Sequence, residues 1–348
     1  MRKIFYTFIL LSLIFFKYGV IFAAEDIKII SRKEWGATEE YIDLNSSTWK
    51  NILLETKEKK EKEGNKISDK KNLEEIQKIY VNADMKKYLR IFFSEDRKIK
   101  EKITHYNTKK LAWPIEVPEN VSGIVIHHTV TDGEDMYKTV RDIYKHHAVL
   151  NQWGDIGYNF LIGKNGEIFE GRLGGETAVG AHNKWNNIGN IGIAMIGDYS
   201  EQEINSIQEK SLKNLMSYLV RKYNIDLNGK KYLHIECNDD YCEHPLYSYQ
   251  YTTISGHRDA AHKDCPGDKL YAQINGIIYS LKITHGELLV KEKIMRDFIY
   301  QLSYQQKLKL QIFLDKKTDS YEHTGKGNWK KYLFFKEFSY AIEHYSEK

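Results

Sequence analysis

Between Trp113 and about Ile283, short β-branched runs alternate with stretches of helical periodicity, and this alternation restricts the fold more than any other feature of the chain. The runs are SGIVIHHTV, YNFLIG, IGIAMIGDY and YTTISGH, each carrying glycine. Between them, MYKTVRDIYKHHAVL and EINSIQEKSLKNLMSYLVRKYN place apolar residues at helical spacing. Strands alternating with helices predict one layered α/β core, and about 170 residues is an ordinary size for a single domain.

Other textures flank this region. IKIISRKEWGA (Ile27–Ala37) is a short mixed segment. From Lys50 to Lys110 the chain carries 18 Lys/Arg and 11 Asp/Glu in 61 residues, and Gly64 to Pro114 encloses neither Gly nor Pro. Leu73, Ile76, Tyr80, Met85, Tyr88, Leu89 and Phe92 recur at helical spacing there, so residues 41–112 are expected to form a charged helical insert. The Lys- and Tyr-rich stretch after His285, with KEKIMRDFIYQLSYQQKLKLQIFL, predicts a C-terminal helical extension over 284–348. The start of the chain, MRK followed by IFYTFILLSLIFF and KYGVIFAAED, reads as a secretory signal over residues 1–23, with an uncleaved membrane anchor as the competing reading. The remainder is expected to work outside the cytoplasm, in a periplasm or as a secreted protein.

Net charge excludes one class of partner. The balance is +4, but Arg2, Lys3 and Lys17 lie in the leader, and 52 Lys/Arg less those three face 48 Asp/Glu. Near-neutrality gives no support for nucleic-acid binding.

Residues with catalytic chemistry concentrate in three places. IVIHHT carries His127 and His128, GHRDAAHKDCPG carries His257, His262 and Cys265, and WGDIGYNFLIGKNGEIFEGR carries Tyr158. Adjacent strand residues point to opposite faces, so only one of His127 and His128 can enter a given site. A strand His, a His at a following strand end and a thiolate on a turn can form three corners of a tetrahedron with the fourth open. On residue types alone, packed histidines and metal ligands stay equally open. A second group, His234, Cys237, Cys242 and His244, suits either a structural zinc or a Cys237–Cys242 disulfide, the disulfide fitting an oxidising compartment better.

IISRKEWGA, IVIHHT, WGDIGYNFLIG, EGR, GAH, NIGIAMIGDY, GHRD and DCPG occur in the order found in the zinc-dependent N-acetylmuramoyl-L-alanine amidases, the family that includes the peptidoglycan recognition proteins. The chain resembles that family over Ile27–Ala37 and roughly Trp113–Ile283. The resemblance implies an α/β fold with a mixed central β-sheet flanked by helices, to which the helical insert and the C-terminal extension are added.

Carried over residue by residue, the resemblance implies His127, His257 and Cys265 as ligands of a Zn2+ ion, with His128 facing away. It implies Tyr158 as a catalytic residue and Lys263, two residues before the Cys, as a feature of the hydrolytic branch. His182, Asn187 and His147 match groove positions, and Arg172 could pair with a peptide carboxylate. Each of these four is as open to a structural role as to substrate binding.

The implied reaction is hydrolysis of the amide between N-acetylmuramic acid and L-alanine in peptidoglycan. The implied partners are peptidoglycan or muropeptides, with a membrane only if the leader stays uncleaved. The alternative is a recognition module that binds muropeptides without cutting, whose hallmark would be loss of the Cys or the Tyr. Both residues are present, which favours the enzyme. A third reading makes the insert and tail an adaptor around an idle amidase fold.

Overall fold

The structure, a computed structural model, describes residues 27–62, 98–184, 186–232, 250–261 and 263–322, together with residues 339 and 342. The expected leader, the apolar stripe from Leu73 to Phe92, the His234–His244 group and His262 lie outside the described residues. Residues 28–278 form one compact unit, and the described residues from Tyr279 onward belong to a second.

In chain order the first unit contains β1 (Ile29–Ile30), α1 (Arg32–Trp35), α2 (Ser47–Lys62), β2 (Ile99–Tyr106), β3 (Lys109–Pro118), β4 (Gly123–His128), α3 (Met136–Lys145), β5 (Phe160–Ile162), β6 (Ile168–Glu170), β7 (Asn190–Met195), α4 (Ser206–Tyr223), β8 (Lys230–Tyr232), β9 (Gln250–Thr252), β10 (Ile254–Gly256) and the start of α5 (Asp268–Tyr300). Six strands make the central sheet in the order β1-β6-β5-β7-β4-β10. It is mixed: β5 and β6 are antiparallel, and every other neighbouring pair is parallel. Every residue of β4 and β7 is buried. That explains why GIVIHH and NIGIAM read as continuous apolar runs without alternation.

The flanking helices begin where side chains can cap them. Asp135 accepts from the Lys138 N–H at 3.1 Å ahead of α3, which buries Met136, Val140, Ile143 and Tyr144. Asn205 and Gln208 form a capping box ahead of α4, whose Leu212, Leu215, Met216, Leu219 and Val220 are buried. Fully burying a side chain of that size stabilises by about 1.5–3 kcal/mol. The α4 helix ends on Asn224 at φ 51°, a left-handed position that Asn tolerates.

The expected helical insert is corrected over residues 98–112. α2 is helical, but residues 98–118 form the antiparallel β2–β3 hairpin, with Tyr106 level with Lys109 across a two-residue turn. Asn107 takes φ 53° there, the positive angle such turns require. A segment free of Gly and Pro permits a helix without demanding one, and Ile103, Thr104 and Tyr106 suit a strand.

The described start of the insert packs against β3. The Leu44 N–H donates to the Lys110 carbonyl and the Ala112 N–H to the Ile42 carbonyl. Leu44, Trp49, Ile52, Leu53 and Ala112 share a buried cluster against Trp113 and Val149. The core therefore extends to both sides of the expected boundary at residue 113.

The second unit contains the remainder of α5 and α6 (Tyr304–Glu322), with Ile299, Leu302, Leu310, Leu314 and Ile342 buried. Among the described residues, no helix is long and apolar enough to cross a membrane.

Candidate metal centre

β4 and β10 are parallel neighbours with Ile126 level with Gly256, so the chain leaves both strands at the same end. His127 ends up beside His257, their ring centroids 4.5 Å apart. The loop that follows is folded back by two backbone bonds, Arg258 N–H to Cys265 O and Gly267 N–H to Asp264 O. Gly267 sits at φ +90°, and a Cβ on it would lie 2.3 Å from the Tyr199 carbonyl carbon. Only glycine lets the DCPG turn rest on that backbone. Cys265 Sγ arrives 3.6 Å from His127 Nδ1 and accepts the His128 N–H at 3.4 Å.

One donor atom from each of His127, His257 and Cys265 lies within 4.8 Å of the others, so the group could hold a metal ion. His127 is buried, whereas His257 and Cys265 are only partly so. His128 points away: its Nδ1 accepts the Tyr199 N–H at 3.2 Å and lies 3.6 Å from Asp198.

Burial sets the charge state of the donors. It is the main reason His127 titrates well below an ordinary imidazole, reinforced by His182 and His257. Burial, then the Lys263 charge, brings His257 down to about 4. Burial likewise pushes the Cys265 thiol up to about 11, opposed by the His128 N–H. At neutral pH the metal-free cluster is thus two free-base imidazoles and a thiol. A cation entering it would displace the thiol proton and meet no resident positive charge on its ligands.

Tyr158 stands beside this group, its ring 5.2 Å from His127 and 5.3 Å from His147. Burial, then the Cys265 charge, holds its phenol above the ordinary range, so the hydroxyl remains a proton donor. Lys263 is exposed.

The four candidate substrate contacts are engaged within the protein. Arg172 donates to the carbonyls of Ile156 at 2.9 Å, Trp153 at 3.1 Å and Val179 at 3.3 Å. These carbonyls give the guanidinium structural partners, the role left open beside pairing with a peptide carboxylate. Asn187 is also turned inward, its Oδ1 accepting the N–H groups of His182 and Asn183. His147 is buried, accepts the Gly157 N–H at 3.2 Å and packs against Trp153 and Tyr158. His182 is buried beneath His127, their Nδ1 and Nε2 atoms 3.0 Å apart. These positions shape the loops that surround the cluster.

Sequence reasoning missed the device that joins the first motif to the third. Arg32 Nη1 lies 2.9 Å from Asp155 Oδ1, both side chains buried, and also donates to the Gly171 carbonyl. Asp155 accepts the N–H groups of Ile156 and Leu173 as well. The available signal was an acidic residue inside the otherwise apolar WGDIGYNF.

The N-acetylmuramoyl-L-alanine amidase family model matches residues 117–268. Peptidoglycan-recognition protein LB of Drosophila melanogaster is 29% identical over 175 residues, covering 47% of this chain and 65% of that protein. Peptidoglycan-recognition protein SC2 of Drosophila simulans is 31% identical over 159 residues, covering 44% of this chain and 72% of that protein. The N-acetylmuramoyl-L-alanine amidase of Sus scrofa is 26% identical over 164 residues, covering 45% of this chain and 23% of that protein. The solved structure of Drosophila PGRP-LB aligns at 30% identity over 46% of this chain and 83% of that one, with a TM-score of 0.36.

Proposed function

Because the chain belongs to the family of N-acetylmuramoyl-L-alanine amidases and peptidoglycan recognition proteins, we propose that it is a zinc-dependent amidase. Its reaction is cleavage of the bond between N-acetylmuramic acid and L-alanine in peptidoglycan or its fragments. The observation that carries this reading is the convergence of His127, His257 and Cys265 beside Tyr158. A sulfur bond of about 2.3 Å and a nitrogen bond of about 2.0–2.1 Å meeting at a tetrahedral angle separate S from N by about 3.6 Å. The Sγ to Nδ1 distance is 3.6 Å. Two imidazoles and a thiolate are a donor set that suits zinc over magnesium or calcium, which take oxygen ligands.

His127 through Nδ1, one ring nitrogen of His257 and Cys265 Sγ would hold the ion. Bound there, zinc would supply a Lewis acid for the amide carbonyl and a lowered pKa for water. Tyr158 would donate its hydroxyl proton toward the carbonyl oxygen as negative charge develops, a role that needs a phenol still protonated at neutral pH. Lys263 lies near enough to depress the His257 pKa, and its ammonium would steady the same charge from the rim. The buried His147 ring beside Tyr158 would limit the orientations the phenol can take.

Digestion of purified peptidoglycan, followed by mass analysis for free L-alanyl peptides, tests the proposal. Release is expected from the full chain, with loss on adding a chelator, recovery on adding zinc, and loss in Cys265→Ser. Binding of peptidoglycan without peptide release would establish the recognition module instead.

A further inference from the structure

We propose that His182 is a positioning residue for the metal centre: it fixes His127 in the tautomer that leaves Nδ1 bare toward Cys265 and His257. The inference rests on the metal site proposed above and assigns its support. His127 uses its two nitrogens in opposite directions, Nδ1 toward Cys265 Sγ at 3.6 Å and Nε2 toward His182 Nδ1 at 3.0 Å. A neutral imidazole carries one proton, so a nitrogen that binds a metal leaves the proton on the other. On His127 that proton is on Nε2, and it is donated to His182 Nδ1. His182 then carries its own proton on Nε2, a buried atom.

The surroundings hold the His182 ring in this one pose. It meets His127 edge-on, with an interplanar angle of 80°. Strand β7 leaves the space for it at Gly192, where a Cβ would lie 2.5 Å from the imidazole Cγ. A Cβ on Gly180 would lie 2.4 Å from Cδ2 of the same ring. Below, the His182 N–H is anchored to Asn187 Oδ1 at 2.9 Å. Asn187 therefore fixes the loop, the loop fixes His182, and His182 fixes the face that His127 presents. Metal-bound histidines usually donate their outer nitrogen to a carboxylate, a carbonyl or water. A neutral imidazole in that place adds no negative charge, so a dication held by two imidazoles and one thiolate would keep a net positive charge for polarising a substrate carbonyl.

The test uses the full chain labelled with 15N-histidine and read by long-range proton–nitrogen correlation, with zinc affinity measured by competition against a chromophoric chelator. In the metal-free wild type, His127 is expected to have a bare Nδ1 and a protonated Nε2. His182→Leu is expected to lose that preference and to weaken zinc binding by about 10–100-fold. His182→Asn, which returns an acceptor oxygen near the Nδ1 position, is expected to restore most of the affinity. A proton on Nδ1 of His127 in the metal-free wild type would overturn the inference, whether or not the leucine variant folds. So would a folded leucine variant that binds zinc as tightly as wild type. Neither readout involves turnover: a chain with the expected tautomer and zinc affinity that releases no peptide would refute the amidase activity and leave the role of His182 standing.

Discussion

The Arg32–Asp155 pair ties together two motifs that lie more than a hundred residues apart, and its removal has a calculable cost. Asp155→Ala deletes the acceptor for Arg32 Nη1 at 2.9 Å, the Ile156 N–H at 2.7 Å and the Leu173 N–H at 2.8 Å. Removing one partner of a buried ion pair costs about 3–5 kcal/mol, because the other charge is left uncompensated. The two backbone donors, at about 1–3 kcal/mol each when left unpaired, push the expectation to the upper half of that range. With about 2–4 °C lost per kcal/mol in a unit of this size, the melting midpoint should fall by roughly 8–20 °C.

Arg32→Met should cost less, since the carboxylate keeps its two backbone donors. The double variant Arg32→Met/Asp155→Ala should be markedly less unstable than the sum of the singles, as expected of residues in contact. Thermal melts followed by circular dichroism would measure all three. A loss below about 1 kcal/mol for Asp155→Ala, or strict additivity in the double variant, would refute a dry, paired Arg32 and Asp155, since exposed pairs contribute only that much.

Tyr158→Phe should lower kcat by about 10²–10³, as for loss of one oxyanion donor, while zinc stoichiometry stays at the wild-type value; steady-state kinetics on a soluble muropeptide with parallel metal analysis would check it. Arg172→Lys should act through the loop: a lysine cannot donate to three carbonyls in a fork, so stability should drop by about 1.5–3 kcal/mol with little change in KM, read by urea denaturation beside kinetics. Burial, then the charges of His146 and Arg172, lowers the His147 pKa from 6.5 to about 4. Its contribution is therefore full above the unfolded value near 6.5 and is lost as pH falls through about 4. A shallower fall in melting temperature over that window is expected in a folded His147→Gln variant than in wild type.

Much of the site was legible as chemistry. Two histidines and a cysteine in IVIHHT and GHRD–DCPG offered a possible ligand set, which only the family resemblance singled out, and the adjacency of His127 and His128 implied that one must face away. The apolar runs of β4 and β7 and the amphipathic α3 and α4 were equally readable, because burial on one or both faces imprints a local period. Less legible were the partners of His182, Arg172 and Asn187. Their types suit a groove, and their distances to His127, Ile156 O and the loop amides depend on how GAH and EGR fold over β7. The segment 98–112 differs from the helical expectation because absence of helix breakers does not distinguish a helix from a hairpin, which is stabilised only once its strands meet.

What the sequence by itself determined is therefore the inventory: which stretches could be strands or helices, where glycine had to stand, and which side chains could bind a cation. The tertiary structure decided adjacency. The parallel register of β4 with β10 brings His127 beside His257, the turn at Gly267 delivers Cys265, and the gap at Gly192 admits His182. Propensity and periodicity act over a few neighbouring residues, whereas strand order and loop seating come from burying the whole core at once, and no local window contains that information.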